Sequence, residues 1–309
     1  MLSGAGSPPL NTLTNSSGNY TLSGFGAGPY TITPSRTGQA CSGGPPNGIF
    51  SNDASLVAQH VVNIITLSPD QQVAGTVNGL NLPISSFDAS LIAQKVVGIC
   101  NVNSRAGQWI FAPPSVAHPG GVNMQLVENY RAFLIGDVSG DWDPLGPPDR
   151  PGESPITGGD VVTASLPAAA ALSGSQVLIP VRLDGLRERT VDSLQFDISY
   201  DPAVMTPAGA TLDGAVDQSL SIVSNMPEPG LLKVAVYGAS SVAGDGVYAY
   251  LIFNVNGSPG TVSDMKLSGF RFDDGRDPVA VKDGQMSITL RSTARDDGRW
   301  RPVHNGWRS

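Results

Sequence analysis

Ser193-Leu194-Gln195-Phe196-Asp197-Ile198-Ser199-Tyr200-Asp201-Pro202 alternates polar and apolar residues for eight positions and then stops at Asp-Pro. A side-chain period of two belongs to a strand with one buried face, and Asp-Pro is a turn signal. The same alternation runs through Val177–Leu183, Val191–Tyr200, Leu231–Tyr237, Val247–Val255, Lys266–Phe272 and Gln285–Leu290. Residues 160–290 are therefore predicted to form an all-β sandwich.

Composition agrees with a mainly β chain. Its 309 residues suffice for two or three domains, and 37 Gly, 25 Pro and only 14% charged residues argue against a helical bundle. No apolar run approaches the ~18 residues of a membrane span. A net charge of -8 makes nucleic acid an unsuitable partner, because phosphate binding needs clustered Lys and Arg. The opening Met-Leu-Ser-Gly has no basic flank and no apolar core of a leader. A polar surface rich in Ser, Thr, Gly and Asn, with little Lys, still favours an extracellular or cell-surface location. The expectation is that a leader has been removed or that Met1 lies inside a longer chain.

One segment breaks the β pattern. Asp53-Ala54-Ser55-Leu56-Val57-Ala58-Gln59-His60-Val61-Val62 recurs 35 residues on as Asp88-Ala89-Ser90-Leu91-Ile92-Ala93-Gln94-Lys95-Val96-Val97. Apolar positions 54, 57, 58, 61 and 64 fall on one helical face, as do 89, 92, 93, 96 and 99. Two helices with one buried stripe each are predicted to pack together. Asp53 and Asp88 stand where an N-terminal cap or a last loop ligand belongs. His60, opposite Lys95 in the repeat, is expected at the surface. Cys41 and Cys100 bracket the repeat and are predicted to pair, closing a loop of about 60 residues worth roughly 4 kcal/mol in the chain-entropy model.

Around this core the chain divides further. Residues 1–38 read as short strands at Thr12–Thr14, Asn19–Ser23 and Pro29–Pro34. Residues 101–143 add Gln108–Ala112 and Tyr130–Ile135 and end on an acidic loop. There, Asp137, Ser139, Asp141 and Asp143 recur at every second position, the spacing by which a tight loop aims oxygens at one hard cation such as Ca²⁺. Residues 144–159 are a Pro/Gly linker, and residues 291–309 an Arg- and Trp-rich tail without periodicity.

Three resemblances follow from these residues. The 17–34 stretch resembles the C-terminal half of a carboxypeptidase-regulatory-like, prealbumin-type β-sandwich, which would leave its other strands to be supplied from elsewhere. The duplicated loop-helix pattern of 41–100, with Ile49 and Ile84 four residues before each Asp, resembles a type I dockerin. The strands of 160–290, with Val247–Val255 and Val281–Ile288, resemble a cohesin-like jelly roll. The dockerin resemblance implies Ca²⁺ in each loop, with Asp53 and Asp88 as last ligands. Neither loop carries a carboxylate ahead of that Asp, so weak or no binding is expected there, and the 137–143 loop is the better candidate. The resemblance also implies an interface through Ser51-Asn52 and Ser86-Phe87, the pair preceding each Asp, with Phe87 either an exposed anchor or a core residue.

Chemistry is sparse. His60, His118 and His304 lie in separate segments, and no nucleophile elbow, zinc helix or phosphate loop appears. The expected function is non-enzymatic: a structural protein that assembles head-to-tail with itself through dockerin–cohesin-like contacts, strand donation, or both. The alternatives are a cellulosome-like scaffold or adaptor that meets cohesin- or dockerin-bearing proteins, and a glycan-binding module of a larger secreted protein. Internal docking competes with assembly, because a flexible linker of about 16 residues reaches roughly 20–24 Å and gives millimolar effective concentration. The disulfide makes the first testable claim. Non-reducing peptide mapping should recover Cys41 linked to Cys100, and reduction should lower the stability of the repeat by a few kcal/mol; two free thiols in the untreated protein would refute the pairing.

Overall fold

The computed structural model describes residues 1–40, 47–80, 83–144, 161–273 and 279–290. Cys41, the predicted linker beyond Pro144 and the 291–309 tail lie outside these residues. Three strands open the chain: β1 (Leu2–Ala5), β2 (Leu10–Thr12) and β3 (Tyr30–Pro34). Helices α1 (Ser51–Val61), α2 (Pro69–Gly75) and α3 (Ser86–Val96) follow, then β4 (Trp109–Ala112), β5 (Val116–His118) and β6 (Arg131–Leu134).

The N-terminal strands do not stand as an isolated half-sandwich. They form a four-stranded sheet in the order β2-β1-β3-β5, so a strand far downstream in the same chain, pairing Val116 with Ile32 and His118 with Tyr30, supplies the fourth member. The predicted strand at Thr12–Thr14 forms slightly earlier, at Leu10–Thr12. Asn19–Ser23 alternates as a strand should, yet it joins no ladder among the described residues. Tyr20 and Leu22 turn instead onto the small core of Leu2, Tyr30 and Ile32, and the Tyr20 hydroxyl donates to the Glu128 carbonyl at 3.0 Å. Residues 18–25 and 122–129 thus flank a cavity of about 740 Å³.

Both predicted helices form, and their ends repeat like their sequences. After α1 the chain turns through Asn63 (φ 62°), after α3 through Gly98 (φ 80°). Asn and Gly are the residues that tolerate this left-handed geometry, and the turn lets Ile64 and Ile99 donate back to Gln59 and Gln94. The sequence reading missed α2, although its start is well marked. Pro69 occupies the first turn, Ser68 Oγ accepts from Gln71 N at 3.3 Å, and Gln71 Oε1 accepts from Ser68 N at 3.0 Å. Strands β4 and β6, as predicted for 108–112 and 130–135, pair with each other and pack beside the helices.

Eleven strands make the C-terminal sandwich: β7 (Val162–Ser165), β8 (Ala168–Leu172), β9 (Gln176–Asp184), β10 (Thr190–Ser199), β11 (Met205–Thr211), β12 (Ser221–Glu228), β13 (Leu231–Ala243), β14 (Gly246–Val255), β15 (Val262–Phe272), β16 (Val279–Lys282) and β17 (Gly284–Thr289). One sheet runs β12-β13-β10-β15-β17-β8 and the other β11-β14-β9-β7-β16. The alternating apolar residues fill the space between them: Leu194, Phe196 and Ile198 of β10 face Ile179, Val181, Leu251 and Phe253 of the opposing sheet. The opposite side of β10 and β13 is where Gln195, Ala235 and Tyr237 stand, and the helices lie on it.

Candidate functional site

The helical segment is built on two buried carboxylates with the same bonding pattern. Asp88 Oδ1 accepts from the backbone N–H groups of Val77 and Asn78, both at 3.0 Å, and Oδ2 from Ser85 N at 3.0 Å and Ser85 Oγ at 2.8 Å. Asp53 Oδ1 accepts from Val138 N at 2.8 Å and Ser139 N at 2.7 Å, and Oδ2 from Phe50 N at 2.7 Å. Both side chains are fully buried. Each aspartate therefore ties the start of its own helix to a loop. For Asp88 that loop lies just upstream. For Asp53 it lies 85 residues downstream.

The two loops are related in sequence: Gly75-Thr76-Val77-Asn78-Gly79 and Gly136-Asp137-Val138-Ser139-Gly140. The first repeat is thus split, with its helix at 51–61 and its loop at 136–143, and the two halves meet in space. Gly48 (φ 75°) marks the seam: a Cβ there would come within 2.6 Å of the Trp142 backbone. Asn47 and Asp143 bond each other across it, with Asp143 N donating to Asn47 Oδ1 at 3.3 Å. The sequence carried this signal in the shared Gly-x-Val-x-Gly spacing.

The predicted cation ligands are partly brought together. Asp53, Asp137 and Asp141 converge closely enough to feel each other's charge. Asp88 stands apart in the second repeat, whose loop has Thr76, Asn78 and Leu80 where the first has Asp137, Ser139 and Asp141. Ser139 contributes its N–H, and Asp143 its backbone, to the seam. Asp137 Oδ1 accepts from Gly140 N at 2.7 Å and Asp141 N at 3.1 Å, and Oδ2 from Trp142 N at 3.2 Å. Asp141 Oδ2 takes Arg271 Nη2 at 2.9 Å. Among the described residues, of the six carboxylate oxygens of Asp53, Asp137 and Asp141, only Asp141 Oδ1 has no hydrogen-bond partner. Among the described residues no three acidic, His or Cys side chains are grouped as a metal cage. Ca²⁺ takes six to eight oxygens, and the carboxylates expected to meet it are here engaged by backbone N–H groups and by Arg271.

What the arrangement does provide is a docked surface. Ser51, Ser55 and Gln59, one turn apart on α1, lie on the outer face of β10 and β13. Ser51 N donates to Gln195 Oε1 at 2.9 Å. Ser55 Oγ donates to the Asp192 carbonyl at 2.9 Å and accepts from Gly238 N at 3.1 Å. Gln59 Nε2 donates to Asp192 Oδ2 at 3.1 Å. At the far end Asn225 Nδ2 donates to the Val97 carbonyl at 2.9 Å. Ala235, fully buried, belongs to the same apolar cluster as Val57, Leu91 and Ile92, with Val223 and Tyr237 packed against it. Arg271 of β15 completes the contact, its guanidinium 3.6 Å over the Phe50 ring.

Only half of the predicted interface takes part. Ser51 is buried in the contact and Asn52 is half-buried beside it, whereas Ser86 and Phe87 are exposed, Phe87 at 46%. Of the two places expected for Phe87, exposed anchor or core, the ring stands exposed. On α3, in the matching stripe Ser86, Ser90, Gln94, Gln94 Nε2 donates to Ser90 Oγ at 3.2 Å and Gln94 Oε1 accepts from Asn101 Nδ2 at 3.0 Å. Ser55, Gln59, Gln195, Asp192 and Arg271 were not foreseen. For Ser55 and Gln59 the mark in the sequence is the i, i+4, i+8 polar stripe that they form with Ser51 on α1. His60 is not a plain surface residue: Leu67 N donates to its Nδ1 at 3.4 Å. Its counterpart Lys95 is buried, and donates to the carbonyls of Gln39 and Ala40. Cys100 is disulfide-bonded, while its predicted partner Cys41 lies outside the described residues.

Comparison with known proteins bears on the sandwich. Residues 162–288 match the family model described as Cohesin domain. No curated protein matches the chain. Among solved structures, a cohesin of Acetivibrio cellulolyticus in complex with a dockerin aligns at 19% identity over 42% of this chain and 100% of that one, with a TM-score of 0.38. A non-cellulosomal cohesin from the hyperthermophilic archaeon Archaeoglobus fulgidus aligns at 23% identity over 46% and 100%, with a TM-score of 0.37. A cohesin of Clostridium acetobutylicum solved in solution aligns at 20% identity over 42% and 92%, with a TM-score of 0.37. Residues 162–288 are thus cohesin-like, and they form a β-sandwich. Among the described residues no helix is long and apolar enough to cross a membrane.

The buried carboxyls link this site to pH. Burial, reinforced by the Asp137 charge, pushes Asp53 up to about 8, against the pull of the Phe50 and Ser139 N–H groups. Burial and the Asp141 charge push Asp137 up to about 6. An unfolded aspartate titrates near ~3.9, so the folded chain holds more protons than the unfolded one between that value and the raised ones. Their stabilising contribution is complete below pH ~4 and is lost as pH rises through about 6 and then about 8. Urea melts from pH 5 to 8.5 should show stability falling by on the order of a few kcal/mol at most. Asp137→Asn, which keeps one acceptor oxygen and removes the charge, should flatten that fall; an unchanged slope would refute the coupling.

Proposed function

We propose that this chain is a non-enzymatic extracellular assembly protein, and that the contact between its helical repeat and its cohesin-like sandwich is the assembly contact. The observation that carries the reading is the seating of Ser51, Ser55 and Gln59 on the β10–β13 face, with Ala235 sealed beneath the helices. The repeat is one surface and the sandwich face another, so the contact is heterologous. Made within one chain it closes a monomer. Made between copies it propagates without limit unless rotation closes a ring.

Which form prevails depends on the connection. The residues from Leu145 to Asp160 tether the two surfaces, and tethering gives the internal contact an effective concentration in the millimolar range. Exchange between copies is then favoured at high local concentration, as on a cell surface, or when a partner takes the second stripe of the repeat. Ser86, Ser90 and Gln94 repeat the docked stripe on α3, and Phe87 beside them offers an exposed aromatic anchor of the kind that dominates interfaces. Other cohesin- or dockerin-bearing proteins are the natural heterologous partners for the same two surfaces.

Shortening the tether separates the two forms. Deleting residues 147–156 should prevent internal closure and drive concentration-dependent, elongated particles, seen by sedimentation and negative-stain electron microscopy. Adding Ser55→Trp to that deletion should return it to monomers. A shortened chain that stays monomeric at every concentration would overturn the reading. Phe87→Ser should leave the melting temperature of the full chain within ~2 °C, because the ring is exposed, and should weaken the association of the shortened chain severalfold. Cooperative loss of the helical signal in that variant would count against a surface role.

A further inference from the structure

We propose that Arg271 stands in for a metal ion in the helical repeat: the sandwich supplies a guanidinium to the acidic loop of residues 137–141, and the repeat folds and docks without a divalent cation. The inference deepens the docking reading above and rests on it.

The first support is the internal control that the repeat itself provides. Asp88 binds the N–H groups of a loop whose ligand positions are Thr76, Asn78 and Leu80, a set with no carboxylate. Such a loop cannot neutralise a Ca²⁺ ion, so the carboxylate-to-amide arrangement around Asp88 is a metal-free way of holding loop to helix. Asp53 binds Val138 and Ser139 in the same way, atom for atom. The acidic half of the repeat is therefore built on the metal-free plan, although it retains the acidic residues.

Those residues leave a charge to be balanced. Asp137 spends both oxygens on the three N–H groups of its own turn, which orders the loop and does not cancel its charge. Asp141 meets Arg271 Nη2 at 2.9 Å, with the two side chains only 22% and 14% exposed. The guanidinium is planar, cannot be deprotonated in a protein, and can stack on an aromatic face while bonding in its own plane. Here it does both, with the Phe50 ring 3.6 Å below it and Asp141 at its edge. Phe50 is also the residue whose N–H enters Asp53. One side chain of β15 thus touches the loop half and the helix half of the split repeat together. A metal at the same place would close the loop but would add nothing to docking; Arg271 couples the two.

The test uses the full chain, with CaCl₂ as the probe. Wild-type protein in EDTA and in millimolar CaCl₂ should melt at the same temperature within ~1 °C, keep the same hydrodynamic radius, and give no stoichiometric heat on titration with Ca²⁺. Arg271→Met should melt several degrees lower in EDTA and should now gain a Ca²⁺ response, recovering at least half the loss. Arg271→Met combined with Asp141→Asn should recover without Ca²⁺, because the uncompensated carboxylate is gone. Should Arg271→Met fail to fold, Arg271→Lys decides: it keeps the charge, and it should remain indifferent to EDTA. A wild type that EDTA unfolds, or that binds one Ca²⁺ with Arg271 intact, overturns the proposal. So does an Arg271→Met chain that neither Ca²⁺ nor Asp141→Asn improves. Failure of the docking reading itself looks different, since Ser55→Trp would then leave the hydrodynamic radius of the wild-type length chain unchanged.

Discussion

Two aspartates buried without exposure decide how the first half of this chain is organised. A carboxylate taken out of water costs several kcal/mol unless polar groups replace the solvent. Asp53 and Asp88 answer that demand with backbone N–H groups that themselves need acceptors at a helix start and in a tight loop, though only in part at Asp53, whose carboxyl burial still pushes up. The cost of the one is offset by the needs of the other. Removing either carboxylate would strand donors on two segments together, so each aspartate is a joint between elements more than a cap on one. The apolar faces of α1 and α3 then have a fixed relation, and the surface they build is stiff enough to lie on a sheet.

That sheet surface is polar at its centre and apolar at its side. Gln195 and Asp192 present acceptors to Ser51, Ser55 and Gln59, while Ala235, Val223 and Tyr237 lie under the helices. Small hydroxyl side chains let a helix approach a sheet closely; among them the Ser51 Oγ is buried with no hydrogen-bond partner, so its backbone N–H carries that end of the contact. Ser55 Oγ bonds twice, donating to the Asp192 carbonyl and accepting from Gly238 N. Such a contact is specific before it is strong: a displaced helix would leave buried donors and acceptors unmatched.

The sandwich was legible because its residues are governed by a single periodicity. Leu194, Phe196 and Ile198 alternate in sequence and all three are buried. The two helices were legible for the same reason at a different period. The same alternation misled at Asn19–Ser23, where Tyr20 and Leu22 are turned inward although no neighbouring strand accepts the backbone. Pattern reports which face is wet, and a ladder also requires a partner. The joint between Asp53 and Val138 was illegible for another reason. Its members are far apart in sequence, and no local preference links them. The spacing of the acidic loop shows neither the aspartate nor the arginine that come to it from elsewhere, since Asp53 and Arg271 lie far from it in sequence.

The split repeat also sets a timetable for synthesis. Asp88 can close on Val77 and Asn78 as soon as α3 has left the ribosome, because its partners lie 11 and 10 residues back. Asp53 must wait for Val138. Until then α1 has no loop to hold its start, and the apolar stripe of Ala54 and Val57 has an incomplete neighbour. Since domains generally fold as units in the order in which they emerge, the nascent chain would carry a half-formed repeat for 85 residues of elongation. It would be completed just before the first strands of the sandwich appear. The surface that docks is therefore finished shortly before the surface that receives it, within one polypeptide. That order favours closure on itself over capture of a neighbour while the chain is still being made.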